Sequence, residues 1–318
     1  MTPVIEVRNL KKYFNAAGGK LHAVDDVSFT IEKGKTIGVV GESGCGKSTL
    51  GRTIIHLQES TGGQILLDGK DITMLSKRGL RKAREKMQII FQDPYSSLNP
   101  RMTVEEIIRE PLERSNRFTK TQIDVEATEL MALVGIEERL RTSYPHELDG
   151  GRRQRVGIAR AIALKPEFIV CDEPVSALDV SIQAQVLNLL MDLQEEFGLT
   201  MMFVTHDLSV VQHISDSICV MYLGQLVEKS PTSELFAAPL HPYSKALLSA
   251  VPSVDIHKPN KRILLKGEIT SPINPKPGCR FLSRCPYAVE ACQQPQDLTE
   301  VRPGHFVACC RSEEINVV

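Results

Sequence analysis

Apolar and polar residues alternate over residues 4–7 and 27–31, the period of half-buried strands, with Ala16-Ala17-Gly18-Gly19 as a loop between them. The pair predicts an antiparallel lead-in. Thr36-Ile37-Gly38-Val39-Val40 is a short apolar run of strand type, and residues 49–57 continue as a helix. Residues 64–67 and 87–91 read as further short strands. From 100 to 164 the spacing becomes helical, with Ile123, Ala127, Leu130, Met131 and Val134 on one face, Gly135 as a stop, and an apolar helix over 156–164 that contains Arg160. A buried strand follows at 167–171. Ser176-Ala177-Leu178-Asp179 then opens a long amphipathic helix through Val186, Leu189, Leu190, Leu193 and Phe197, closed by Gly198. Residues 201–204 form another strand, and residues 217–222 and 226–229 flank Gly224-Gln225 as a closing hairpin. Beyond about Ser233, the prolines Pro239, Pro242, Pro252, Pro259, Pro272, Pro275 and Pro277 predict an ordered but irregular extension. This order of elements predicts an α/β fold: a domain over 1–234 with a helical subdomain inserted at about 97–164, then an extension over 235–318.

At 318 residues the chain can bury a large core and form about two domains. Its 38 basic and 39 acidic residues leave a formal net charge of -1, so no global basic field invites nucleic acid. The absence of Trp, with only 5% aromatics, argues against a base-stacking platform for single strands. No apolar run approaches the roughly 18–20 residues that cross a bilayer, and residues 1–9 lack a signal-peptide pattern, so the expectation is a soluble, cytoplasmic protein.

Gly41-Glu42-Ser43-Gly44-Cys45-Gly46-Lys47-Ser48-Thr49 matches the phosphate-loop pattern G-x-x-x-x-G-K-[ST], between a strand and a helix as that motif requires. The glycines let backbone N–H groups close on an anion, Lys47 supplies a cation for the β- and γ-phosphates of ATP, and the Ser48 hydroxyl is placed to ligate Mg²⁺. Tyr13 and Phe14 follow a basic pair, where an aromatic face can stack on a purine. Gln92 ends a strand and is a candidate to touch the metal or the attacking water. Asp172 and Glu173 arrive at the carboxyl end of a buried strand, one to hold Mg²⁺ through water and the other to polarise the water that attacks the γ-phosphate. His206 closes the strand at 201–204 and can contact the γ-phosphate. Gly150-Gly151 opens a helix and offers a second anion site through its unpaired N–H groups.

With these residues in order, the chain resembles the ATP-binding subunit of an ABC transporter over nearly its whole length. The resemblance implies a P-loop NTPase core of RecA-like type, an ATPase that uses Mg²⁺, and a set of roles. Tyr13 stacks on adenine, Gly41 to Thr49 is the Walker A loop, and Gln92 is the Q-loop glutamine. Leu148, Asp149, Gly150, Gly151 and Arg152 are the signature, Asp172 and Glu173 end Walker B, Ser176 to Asp179 form the D-loop, and His206 is the switch histidine. Two such subunits of the family close head to tail, so that each ATP lies between one Walker A loop and the other subunit's signature. Residues 91–100 and 239–243 look more particularly like the dipeptide/oligopeptide importer branch, which includes nickel importers. That branch implies a peripheral position at the cytoplasmic face of the inner membrane, a second, homologous ATP-binding subunit, two membrane permease subunits engaged by the helical subdomain, and an extracytoplasmic substrate-binding protein acting through the permease. No nucleic acid is expected as partner.

The signature departs from the family pattern L-S-G-G-Q, with Asp149 at the serine position and Arg152 at the glutamine position. An ionised Asp can only accept hydrogen bonds, and at about 4 Å and an effective dielectric near 20 each repulsion with a phosphate charge is on the order of 4 kcal/mol. Protonation of Asp149 or compensation by Arg152 would blunt it. The departure leads to the expectation of a heterodimer, in which this subunit's Walker A loop, Glu173 and His206 meet a standard signature from the partner. A subunit that mainly binds ATP and gates its partner is the alternative. A soluble ABC-type ATPase of DNA repair or translation is disfavoured by the single Walker A loop and the balanced charge.

Of the eight cysteines, Cys45, Cys171 and Cys219 are scattered among apolar neighbours, whereas Cys279, Cys285, Cys292, Cys309 and Cys310 crowd the C-terminal end. Clustering of this kind in a reducing compartment favours metal over disulfides, and Pro286 after Cys285 is a feature of iron–sulfur loops. Some peptide-importer subunits hold a [4Fe-4S] cluster on a similar motif. The resemblance points to Cys279, Cys285, Cys292 and Cys309 as its ligands, with Cys310 spare and pointing elsewhere. Zn²⁺ and unliganded thiols are the alternatives.

Overall fold

A computed structural model of the chain describes residues 3–251, 262–265, 267 and 271–316. The chain falls into two compact units, one built from Met1–Ile5, Ile31–Lys35 and Leu66–Met202, the other from Glu6–Thr30, Thr36–Ile65 and Phe203–Val318.

In the first unit, strand Met87–Ile90 pairs in parallel with Phe168–Asp172, with Ile90 opposite Cys171. Every residue of Phe168–Asp172 is buried, which is why its sequence is an apolar run without alternation. Helices Val104–Ser115, Lys120–Leu133 and Gly150–Ile162 pack on one another within the region predicted to be helical. The first two begin with reciprocal caps, Thr103 with Glu106 and Thr119 with Gln122, which satisfy backbone donors that the helix itself leaves open. Ile123, Ala127, Leu130, Met131 and Val134 are all buried, and Gly135 follows in the left-handed region at φ +70°. Helix Val180–Phe197 stops at Gly198, also left-handed.

In the second unit, strand Thr36–Val40 runs parallel to Ser217–Tyr222, with Val40 opposite Val220. Ser217–Tyr222 turns through Leu223 and Gly224 into the antiparallel strand Gln225–Pro231, as the hairpin pattern predicts. The lead-in strands, Pro3–Ala16 and Gly19–Glu32, are longer than the alternation indicates, with only Ala17 and Gly18 between them. Beyond Leu10 most positions are half-buried on both faces, so the sequence carries no period of two there.

The extension is more regular than its prolines suggest. It contains helices Thr232–Ala237 and Pro242–Ser249, and strands Thr299–Arg302 and His305–Val307, the latter pairing with Gln225–Pro231 at Lys229 and Phe306. Strands of three and four residues are too short to show a period. Leu235, Tyr243 and Phe281 are fully buried and share one core with Val40, Ile218, Val220 and Tyr222. A buried polar clamp holds the region: Glu228 accepts from the backbone N–H groups of Leu240 and His241, each at 2.8 Å, and lies 2.7 Å from His305 Nε2.

Candidate functional site

The glycine-rich loop leaves strand Thr36–Val40 and enters helix Lys47–Ile54. Two of its glycines are required by their surroundings. Gly46 sits at φ +105°, where a Cβ would stand 1.9 Å from the Ala23 carbonyl oxygen, and a Cβ on Gly41 would stand 2.1 Å from that of Met221. Lys47 is buried, and its ammonium donates to the carbonyls of Gly41 at 2.8 Å and Glu42 at 3.0 Å, folding the cation over the loop. Ser48 and Thr49 lie in the first turn of the helix, while Ser43 and Gly44 are exposed at the loop's outer edge. Burial pushes the Cys45 thiol up, the behaviour of a packing residue.

Tyr13 lies on strand Pro3–Ala16 with its ring stacked on His22, centroids 3.9 Å apart. Its hydroxyl donates to Asp25, which His22 approaches at 3.1 Å and to which Arg280 also donates. Burial and the Asp25 bond push the Tyr13 phenol up; Asp25 is itself held below the usual carboxylate range, because the bonds from Tyr13 and His22 and the charge of Arg280 outweigh its burial. His206 is exposed just past strand Thr200–Val204, and the preceding residue, Thr205, donates its N–H to Val39 in the strand that feeds the loop.

In the first unit, the parallel register that sets Ile90 opposite Cys171 brings Gln92 level with Glu173, two residues further along each chain segment. Gln92 Nε2 donates to Glu173 Oε2 at 3.0 Å. Asp172 is fully buried at the strand end, and Glu173 turns away from it in the left-handed region at φ +48°, an uncommon place for a residue with a Cβ. Ser176 ties back to the Glu173 carbonyl at 3.1 Å, and Asp179 stands exposed at the N-cap of helix Val180–Phe197.

Leu148 is buried before helix Gly150–Ile162, and Asp149 is that helix's N-cap. Its carboxylate accepts from the Arg152 backbone N–H at 2.8 Å and from the Arg152 guanidinium at 3.0 Å, while the same guanidinium reaches Glu137 at 3.1 Å. A Cβ on Gly151 would stand 2.6 Å from Ile182, so the helix approaches Val180–Phe197 through its glycine.

Cys279, Cys285, Cys292, Cys309 and Cys310 line one small cavity together with Phe281 and Leu282. Cys310 faces this cavity too, 3.9 Å from Cys292 sulfur to sulfur, where the sequence pointed it elsewhere. Four soft thiols suit iron–sulfur or zinc chemistry, yet among the described residues no group of three or more His, Cys, Asp or Glu is spaced to hold a metal ion. Burial pushes the Cys279 thiol up to about 12.

Sequence reasoning missed four residues that hold the nucleotide-type elements: Asp25, Tyr243, Arg280 and Arg284. Tyr243 accepts from the Glu42 N–H at 2.8 Å, and Arg284 grips the Glu42 carboxylate with two bonds of 2.7 and 3.0 Å. These partners are 201 and 242 residues from Glu42, beyond any local pattern.

Comparison with known proteins agrees with this construction. Residues 24–176 match the ABC transporter family, and residues 227–292 match the oligopeptide/dipeptide transporter C-terminal region. The oligopeptide transport ATP-binding protein AppF of Bacillus subtilis is 53% identical over 317 residues, covering 96% of each chain. Among solved structures, the ATP-binding cassette MJ0796, a dimer bound to ADP and Pi after hydrolysis, superposes with a TM-score of 0.67 at 30% identity, over 72% of this chain and 98% of its own. CbiO1 from Clostridium perfringens, part of the ABC transporter complex CbiONQ, gives 0.66 at 29% identity, over 74% and 92%. The chain belongs to the ABC transporter ATP-binding family and carries the C-terminal region of its oligopeptide/dipeptide branch. It has the P-loop NTPase fold and is an ATPase.

Proposed function

We propose that the chain hydrolyses ATP to power uptake of dipeptides or oligopeptides through a membrane permease. The observation that carries this reading is the joining, in one chain, of an ATP-binding cassette to the oligopeptide/dipeptide C-terminal region. The phosphate loop Gly41 to Thr49 holds the triphosphate, with Lys47 on the β- and γ-phosphates and Ser48 on Mg²⁺. Asp172 holds Mg²⁺ through water, Glu173 polarises the attacking water, and Gln92, already bonded to Glu173, fixes that carboxylate's direction. His206 contacts the γ-phosphate and Tyr13 stacks on adenine.

The subunit works at the cytoplasmic face of the inner membrane, docked on two permease subunits that receive solute from an extracytoplasmic binding protein. Among the described residues no helix is long and apolar enough to cross a membrane, which leaves the crossing to other chains. The second ATP-binding subunit is a homologue with a standard signature. Support comes from Asp149: its carboxylate, which caps its helix through the Arg152 N–H, can only accept hydrogen bonds, where the family serine donates to the opposing γ-phosphate. Nickel or another small solute is the alternative cargo.

For the cysteines, the convergence of thiols on one cavity supports a bound metal, a [4Fe-4S] cluster or Zn²⁺ on Cys279, Cys285, Cys292 and Cys309, which the thiols would have to close upon. Such a group would stabilise the extension. Iron, zinc and acid-labile sulfide measured per chain after anaerobic purification decide between these and free thiols.

The transport reading is tested by ATPase assays on the chain assembled with its permease. Peptide-loaded binding protein is expected to stimulate hydrolysis, and nickel or free amino acids are not.

A further inference from the structure

Glu42 is an acidic residue inside a loop whose task is to hold a polyanion, and all three of its polar arms are fixed. Its carbonyl accepts from Lys47 at 3.0 Å, its N–H donates to Tyr243 at 2.8 Å, and its carboxylate is gripped by Arg284. The Arg284 side chain is only 7% exposed, so this fork is a shielded ion pair and not a rim contact. Four residues earlier, Arg280 is 6% exposed and donates to Asp25, the same carboxylate that receives the Tyr13 hydroxyl; its second arm donates to the Leu223 carbonyl. Both arginines stand on the loop 279–285, which Phe281 anchors in the core against Tyr222, with ring centroids 5.3 Å apart, and Tyr243, at 5.4 Å.

We infer that the loop 279–285 is a two-armed brace for the nucleotide, with Arg284 and Arg280 as positioning residues. Arg284 neutralises Glu42 and draws its charge off the phosphate path, while Arg280, through Asp25, sets the ring of Tyr13. This rests on the reading of Gly41 to Thr49 as the phosphate loop and of Tyr13 as the adenine platform. The two arms act, through Glu42 and through Tyr13, on different parts of the ligand. Losing the first weakens binding of any polyphosphate; losing the second weakens binding only of one that carries a base.

The test is equilibrium binding of Mg·ATP and of Mg·tripolyphosphate to the full chain. Arg284→Gln is expected to weaken both by about tenfold, Arg284→Lys by less, and Glu42→Gln added to Arg284→Gln to restore both towards wild type, because the uncompensated carboxylate is gone. Arg280→Gln is expected to weaken ATP and leave tripolyphosphate unchanged. A brace acting only on stability would lower the melting temperature without this ligand pattern or the rescue. Wild-type affinity in Arg284→Gln, or a double variant no tighter than the single one, would overturn the inference. Lys47→Ala keeps the two readings apart: if it binds ATP as wild type does, the phosphate-loop reading itself is wrong, whereas loss of binding there with an unaffected Arg284→Gln overturns the brace alone.

Discussion

The Arg152 guanidinium donates to Asp149 at 3.0 Å while the Arg152 backbone N–H donates to the same carboxylate at 2.8 Å. In the proposed match of residues 148–152 to the pattern L-S-G-G-Q, the two departures are thus one unit: the acid at the serine position is bound by the base at the glutamine position. The pair is exposed, with side chains 56% and 42% accessible, so its attraction is screened and would only partly offset the charge that Asp149 brings to an opposing phosphate in the proposed closed pair. In the assembled transporter, Asp149→Ser should keep the helix cap and raise ATP turnover. Asp149→Ala should lose the cap and about 1 kcal/mol of stability in denaturant titrations. Unchanged turnover in Asp149→Ser would show that the acid is tolerated.

If Glu173 polarises the attacking water as proposed, Glu173→Gln should slow hydrolysis by about 10²–10⁴-fold while ATP still binds. Gln92→Ala leaves the carboxylate but removes a bond that directs it, so single-turnover kinetics should show a smaller loss. Equal losses in the two variants would make Gln92 more than a positioning group.

With ATP trapped by Glu173→Gln, light scattering should find the chain monomeric until a homologous subunit with an intact signature is added. Closure of the chain with itself would remove the main support for an asymmetric pair.

His241 is buried beside Glu228 and Phe281, and its Nδ1 accepts from the Tyr243 N–H at 3.1 Å. Burial pushes it down to about 4 from an ordinary 6.5, so the unfolded chain binds the proton first and stability should fall as pH drops from about 6.5 towards 4. His241→Asn, which can still accept from the Tyr243 N–H, should flatten that part of a stability–pH curve; an unchanged slope would place the acid sensitivity elsewhere.

Phe281 fills the space between Tyr222, Tyr243 and His241, and Phe281→Ala should destabilise the fold by about 3–5 kcal/mol in chemical denaturation. A loss below about 1 kcal/mol would mean that the loop 279–285 is not anchored there.

What the sequence made legible was local. The strand, glycine-rich loop and helix over residues 36–54, the helical face of Ile123 to Val134 and the stops at Gly135 and Gly198 each depend on spacings of a few residues, and the structure places them where those spacings indicate. Gln92 and Glu173 were each legible as strand-end residues, but their bond follows from the register of two strands, which neither segment encodes alone. Arg280 and Arg284 carry no periodicity and lie more than two hundred residues from Asp25 and Glu42; only folding reveals what they hold. The charge of Asp149 was legible in the sequence; its cap on its own helix, through the Arg152 N–H, was not.

The most direct test of the account is the ATPase rate of the chain co-assembled with its permease in liposomes, with and without peptide-loaded binding protein. The account predicts a rate that rises with the loaded protein and disappears in Glu173→Gln. A rate indifferent to peptide, or a Glu173→Gln complex as active as wild type, would contradict it.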